Sequence, residues 1–305
     1  MTLQKRSGCI AYAALFGSVL CWGSVPLFLK YFTAYIDAWT ANGVRYPFAA
    51  LLLLPWLIRE YRAGRLPAAF WRLALLPAFF NLSSQILWAW TPYFVDPGLI
   101  SFLVRLSTLW AVVGSFILFV DERPIIRQPH FWGGLLFALL GFVLMVAGGS
   151  EALGSGKKIG IVLVVLCSLL SAAYQLMVRR YLSAVDARTA YGMVAALTAA
   201  GLLVLMFAVG QPQQVTNMPP GPFLLLLLSG IVGLIIAHIF FYTALRHFGV
   251  AVTSSVNLLS ALITATASRF LFAEQLSPVQ WLAGLFLLGG CLLLAIAPRF
   301  SRKTG

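Results

Sequence analysis

Apolar residues run along this chain in near-continuous blocks of about twenty, separated by short polar breaks. The blocks do not alternate, so they predict helices that cross a bilayer core of ~30 Å and not the strands of a membrane barrel. The breaks mark ten segments, at 9–32, 38–58, 71–91, 97–120, 129–148, 158–179, 187–209, 221–245, 250–272 and 278–297. The intervening loops are too short to hold a soluble domain.

The chain also repeats itself. Asp37-Ala38-Trp39-Thr40-Ala41-Asn42-Gly43 returns as Asp186-Ala187-Arg188-Thr189-Ala190-Tyr191-Gly192, with five of seven positions identical at an offset of 149. Further on, Glu122 closes the fourth segment and Gln128 opens the fifth. Glu274 and Gln280 do the same for the ninth and tenth, at an offset of 152. The expected domains are therefore 9–148 and 158–297, each a five-helix repeat. Five is odd, so the second repeat enters the membrane upside down. The predicted fold class is all-α integral membrane, with ten transmembrane helices as two inverted five-helix repeats, an architecture that places a site at the repeat interface.

Composition agrees. The chain is 61% hydrophobic and 10% charged, against about 25% charged in a soluble domain. The net charge of +13 does not point to nucleic acid, because no basic stretch interleaved with aromatics lies outside the apolar blocks. It fits topology instead. With the N-terminus inside, fifteen Lys and Arg fall on the cytoplasmic side and three (Lys30, Lys157, Lys158) outside. That bias predicts both termini in the cytoplasm of a multi-pass protein of the cell inner membrane. Lys5-Arg6 before an apolar run resembles a signal peptide, but the run extends to Tyr31 without a small-residue cleavage site and is expected to stay as the first span. Cys9, Cys21, Cys167 and Cys291 lie in or beside apolar segments without metal spacing, so no disulfide, metal or cofactor is expected.

Several local motifs then fall in a familiar order. The first segment carries Cys21-Trp22-Gly23-Ser24-Val25-Pro26, and the second Asp37…Thr40…Arg45. The eighth ends Tyr242-Thr243-Ala244-Leu245-Arg246, and each half closes a helix on Glu (Glu122, Glu274) before a Gly-rich helix. Together these resemble the drug/metabolite transporter superfamily, in its EamA-like ten-span members, over nearly the whole chain. The resemblance implies a bacterial inner-membrane transporter with a cavity between its halves, working by alternating access. It does not imply a substrate. Arg105 departs from the usual apolar fourth span of such proteins.

The intramembrane arginines are the first candidates for chemistry. A charge at the centre of a span costs about 2.5–3.5 kcal/mol even on a lenient scale. Arg45 and Arg105 each lie roughly 10 Å inside the outer end of a segment at 1.5 Å per residue. All eight acids sit in loops or at segment ends, so neither arginine has an evident carboxylate partner. Arg45 reads either as a structural tie to loop carbonyls or Asp37, or as a ligand group. Arg105 reads either as a structural group held by water or carbonyls, or as the anchor for a carboxylate or phosphate of the substrate.

Polar residues recur on single helical faces: Ser101, Arg105 and Thr108 on the fourth segment, and Thr253, Asn257, Ser260 and Thr264 on the ninth. They line a cavity or join helices by hydrogen bonds. The third segment offers Asn81, Gln85 and Trp88, the first Trp22, the sixth Tyr174, and the eighth His238 and Tyr242. Trp22, Trp88, Trp110 and Tyr174 lie deeper than the interfacial Trp39, Trp71 and Trp281. His238 reads either as a proton-coupling site or as a neutral helix contact. Glycines of the fifth and tenth segments suit close packing and a homodimer face, leaving monomer and homodimer both open.

The expected function is secondary, non-ATP transport of a small organic metabolite, anionic or zwitterionic, of amino-acid or organic-acid type, by an exporter or exchanger. No phosphate-binding loop of the ATPase kind is present. An intramembrane enzyme or a passive pore are the alternatives. Neither metal clusters nor a serine motif opposite His238 supports the enzyme.

Overall fold

A computed structural model describes the backbone of residues 3–66, 70–120, 127–148 and 155–301. The side chains of 3–9, 155, 187, 242, 245–246, 249–252, 254–255 and 295–301 lie outside this description. Glu122 and the side chains of Cys9, Lys5, Arg6, Arg246 and Tyr242 therefore fall outside the described residues, as do the basic side chains beyond Leu294.

The described chain is helical from end to end: α1 (Leu3–Phe32), α2 (Ala38–Arg62), α3 (Phe70–Trp90), α4 (Pro97–Leu103), α5 (Leu106–Leu118), α6 (Pro129–Ala147) and α7 (Ser155–Leu182). There follow α8 (Ala187–Val209), the single-turn α9 (Gln213–Thr216), α10 (Pro220–Gly230), a π turn (Ile231–Ile236), α11 (Ala237–Asn257), α12 (Leu259–Phe272) and α13 (Pro278–Ser301). Among the described residues, eight helical stretches are long and apolar enough to cross a membrane. Leu259–Phe272 and Pro278–Leu294 are shorter apolar helices. Large side chains such as Phe270, Phe207, Leu136 and Val204 point outward, as a lipid-facing surface requires.

Two predicted boundaries change. The fourth segment is two helices, α4 and α5, joined by a turn at Val104–Arg105, where the amides of Arg105, Ser107 and Thr108 reach back three residues instead of four. Ser101 and Thr108 therefore do not share one continuous helical face with Arg105. The predicted gap between the eighth and ninth segments is helical backbone, and the break falls later, at Leu258 between α11 and α12. At the 152 offset Arg105 matches Asn257, so both repeats interrupt the same helix at the same place.

The repeated seven-residue motif starts a helix in each half. The Asp37 carboxylate accepts from the amides of Trp39 (2.9 Å) and Thr40 (3.0 Å), and that of Asp186 accepts from Arg188 (3.1 Å). Each thereby satisfies amides that have no partner inside the helix. The motif's glycines serve packing. A Cβ on Gly43 of α2 would stand 2.5 Å from the Met206 Cβ near the end of α8, and one on Gly192 of α8 would stand 3.0 Å from Leu57 near the end of α2. Start meets end in both cases, so α2 and α8 are antiparallel partners related by exchange of the halves. Gln211 completes the joint by donating its amide to Asp37 and Thr40 at 3.0 Å each.

The same exchange governs the other contacts. α6 packs along α13, α4 against α12, and the pair α3–α7 repeats as α1–α11. In α6–α13 the backbones nearly touch: a Cβ on Gly141 would lie 2.4 Å from the Leu287 amide, and one on Gly290 2.3 Å from that of Ala138. Gly134 and Gly148 are likewise filled by α13 residues, and Gly284 by the Phe102 ring. Five of the glycines that suit a homodimer face are filled within one chain, whereas Gly133 and Gly289 meet nothing within 4 Å. Gly141→Val is expected to cost about 1–3 kcal/mol through overpacking. Gly133→Val, where a Cβ meets nothing within 4 Å, is the control. Thermal unfolding in one detergent compares them, and equal losses would show that close approach is not what Gly141 provides.

Candidate functional site

The interrupted helices, with α1, α2, α3, α7 and α8, line a partly open cavity of about 420 Å³. The turn after α4 delivers Arg105 to its wall. One Nη of Arg105 bonds the Ser260 hydroxyl, which itself donates to the Asn257 carbonyl at 2.7 Å. The serine oxygen is thus fixed before the guanidinium reaches it. The Arg105 Nε is buried and has no hydrogen-bond partner among the described residues. A buried guanidinium N–H without an acceptor is costly, and an anion in the cavity is the group that would relieve it.

Arg45 lines the same cavity on different terms. It is 1% exposed, with Nε on the Ser229 hydroxyl (2.8 Å), Nη1 on Asn42 Oδ1 (3.0 Å) and Nη2 toward the Ser229 carbonyl (3.5 Å). The π turn begins two residues beyond Ser229, and Gly230 brings α10 against the Arg45 backbone. The structural reading of Arg45 fits this geometry, with helix groups of α10 and Asn42 in the place of Asp37. Its charge still enters the cavity field.

The same cavity is also lined by a cluster of rings. His238 stacks on Tyr191 at 3.9 Å and 16°, and meets Trp22 edge-on at 5.6 Å. Trp22 in turn packs on Phe241 at 4.8 Å. Four rings from α1, α8 and α11 thus pack as one surface, with dimensions set by ring contact.

What holds α4 is visible at its other end. Ala273 adopts a left-handed backbone (φ 54°) and turns Glu274 back toward α4. The carboxylate accepts from the amides of Gly98 (2.7 Å) and Leu99 (3.0 Å) and from the Ser268 hydroxyl. A Cβ on Gly98 would collide with it at 2.7 Å. Ser101 adds a bond to the Ala261 carbonyl (3.0 Å), so α4 and α12 are tied at the tip, the middle and the break. Nearby, Lys30 pairs with Asp96 at 2.9 Å and joins α1 to the same corner.

Of the residues expected at a site, Trp22, Arg45, Asn81, Gln85, Trp88, Ser101, Arg105, Thr108, Tyr174, His238 and Asn257 line the cavity. Ser260 sits behind Arg105 and not on the surface. Tyr242 is outside the described side chains. Several lining residues are also helix ties: Ser101 donates to backbone carbonyls, Asn257 Oδ1 accepts from Ser18 (3.2 Å), and Asn81 donates to Thr198 (2.9 Å). Trp110 is elsewhere; its indole donates to Ser168 at 3.0 Å and joins α5 to α7. Sequence reasoning missed Tyr46, Tyr191 and Phe241 as lining residues. Tyr191 had a signal available, being the one aromatic in the second copy of the repeated motif.

An all-helical bundle of two repeated halves, with a solute-sized cavity where its interrupted helices meet, defines a polytopic membrane protein of the transporter class. The model of the EamA-like transporter family matches residues 9–147 and again 158–296, and the chain belongs to that family. The drug/metabolite transporter resemblance read from the motifs is consistent with this membership. An uncharacterized transporter of Haemophilus influenzae is 23% identical over 184 residues. The match covers 60% of this chain and 60% of the length of that relative. A solved crystal structure superposes with a TM-score of 0.62 at 16% identity, over 96% of this chain and 98% of that one. At that identity the likeness concerns the fold alone.

Burial raises the Glu274 carboxyl above its ordinary value of 4.5, and the bonds from Ser268, Gly98 and Leu99 offset part of the rise. The folded protein then holds this proton more tightly than the unfolded chain. Its contribution to stability is full below the ordinary value and is lost as pH rises through the folded one. Glu274→Gln is expected to flatten the fall in unfolding temperature across that window. An unchanged slope in the variant would assign the pH dependence to another group.

Proposed function

We propose that this protein is a secondary transporter that binds the anionic group of a small organic metabolite at Arg105 and carries it by alternating access. The observation that carries this reading is the buried Arg105 Nε without an acceptor, on a cavity wall made by a broken helix. Discontinuous helices at a repeat interface are a recurrent way to hold solutes in carriers. The exchange of equivalent contacts between halves supports two related states, one open to each side. The charge bias supports an inner-membrane protein with both termini in the cytoplasm, and the domains at 9–148 and 158–297 are the two rocking units. Candidate solutes are of amino-acid or organic-acid type, moved as export or exchange.

Purified protein in liposomes tests the class. A carrier gives saturable flux with counterflow, a pore gives flux without counterflow, and an intramembrane enzyme gives product without flux. Arg105→Ala is expected to weaken apparent affinity about tenfold or more, the size of one charge-assisted contact. Unchanged affinity and solute range in that variant would remove Arg105 from the site.

A further inference from the structure

We infer that the substrate is an amphipathic monocarboxylate that carries no ammonium group, with its carboxylate on Arg105 and an apolar or aromatic body against the ring wall. The inference rests on the anion reading above and narrows it in three respects.

The first is charge. Two guanidiniums line the cavity and none of the eight acids does so among the described residues. A zwitterion would bring an ammonium into a positive space with no carboxylate among the described lining residues to receive it. Three neutral oxygens beside the arginines already accept a hydrogen bond. Asn257 Oδ1 accepts from Ser18, Asn42 Oδ1 from Arg45, and the Ser260 hydroxyl from Arg105. A buried charge without a partner is a strong penalty, so the ammonium selects against binding.

The second is valence. Each nitrogen of Arg45 already has one protein acceptor, so Arg45 acts mainly through its field. Of these two arginines, Arg105 keeps a buried N–H without an acceptor among the described residues. One free donor edge suits one carboxylate, held side-on by Nε and the adjacent Nη.

The third is the body of the ligand. Trp22, Tyr191, His238 and Phe241 are packed on one another and present a preformed apolar surface. Such a wall favours an apolar body, because apolar surface leaves water without further ordering of the protein.

Isothermal titration of the full-length protein in detergent tests this with four probes: 3-phenylpropionate, phenylalanine, phenethylamine and glutarate. The expected result is 3-phenylpropionate about tenfold or more tighter than phenylalanine or glutarate, with phenethylamine not binding. Arg105→Gln should abolish the preference for 3-phenylpropionate. Phenylalanine binding as tightly as 3-phenylpropionate, with loss in Arg105→Gln, would overturn this inference and leave the anion reading in place. Glutarate binding as tightly would overturn the monocarboxylate assignment alone. Phenethylamine binding best, or no binding by any probe at millimolar concentration, would overturn both. The wild-type series decides the inference even if the variant fails to fold.

Discussion

A guanidinium buried in a helical bundle without a carboxylate has to be held by neutral oxygens, and this constraint organises the centre of the molecule. Arg45 is held in full, by Ser229 and Asn42. Arg105 is held in part, by Ser260. Each solution needs a departure from regular helix: a π turn just after Ser229, and a break in the chain at Arg105 itself. Irregular backbone is tolerated at membrane depth only where it is packed by protein or lines a cavity. Here it does both, so charge, helix interruption and cavity coincide.

The rest of the bundle makes that arrangement rigid. Antiparallel pairs α2–α8 and α6–α13 approach through glycines, where close contact replaces the hydrophobic drive that lipid cannot supply. The α4–α12 pair is different. It is joined by hydrogen bonds at three levels, from Glu274 on the α4 amides to Ser260 on Arg105. Glu274 therefore anchors the start of the helix that ends at the Arg105 turn. Its partner by repeat, Glu122, lies outside the described residues.

Much of the fold was legible in the order of residues because it follows from one-dimensional rules. Block length predicts spans, repeated Asp-Ala-x-Thr-Ala-x-Gly predicts related helix starts, and an odd span count predicts inversion. Among candidate residues, polar and aromatic groups inside apolar blocks stood out by cost alone, and most of them line the cavity. Trp110 did not, because depth along a helix does not say which neighbour the ring faces. The helix breaks were also invisible. Val104, Arg105, Asn257 and Leu258 include neither Pro nor Gly, and nothing local stops a helix there.

By itself the sequence determined membrane class, span pattern, repeat and the presence of two unpaired intramembrane charges, since each depends on composition and spacing. Only the tertiary structure decided how those charges differ. Arg45 meets Ser229 across 184 positions of chain and Arg105 meets Ser260 across 155. Hydrogen-bond satisfaction between residues so far apart is a property of packing, and it leaves each Arg45 nitrogen with an acceptor and the Arg105 Nε without one among the described residues.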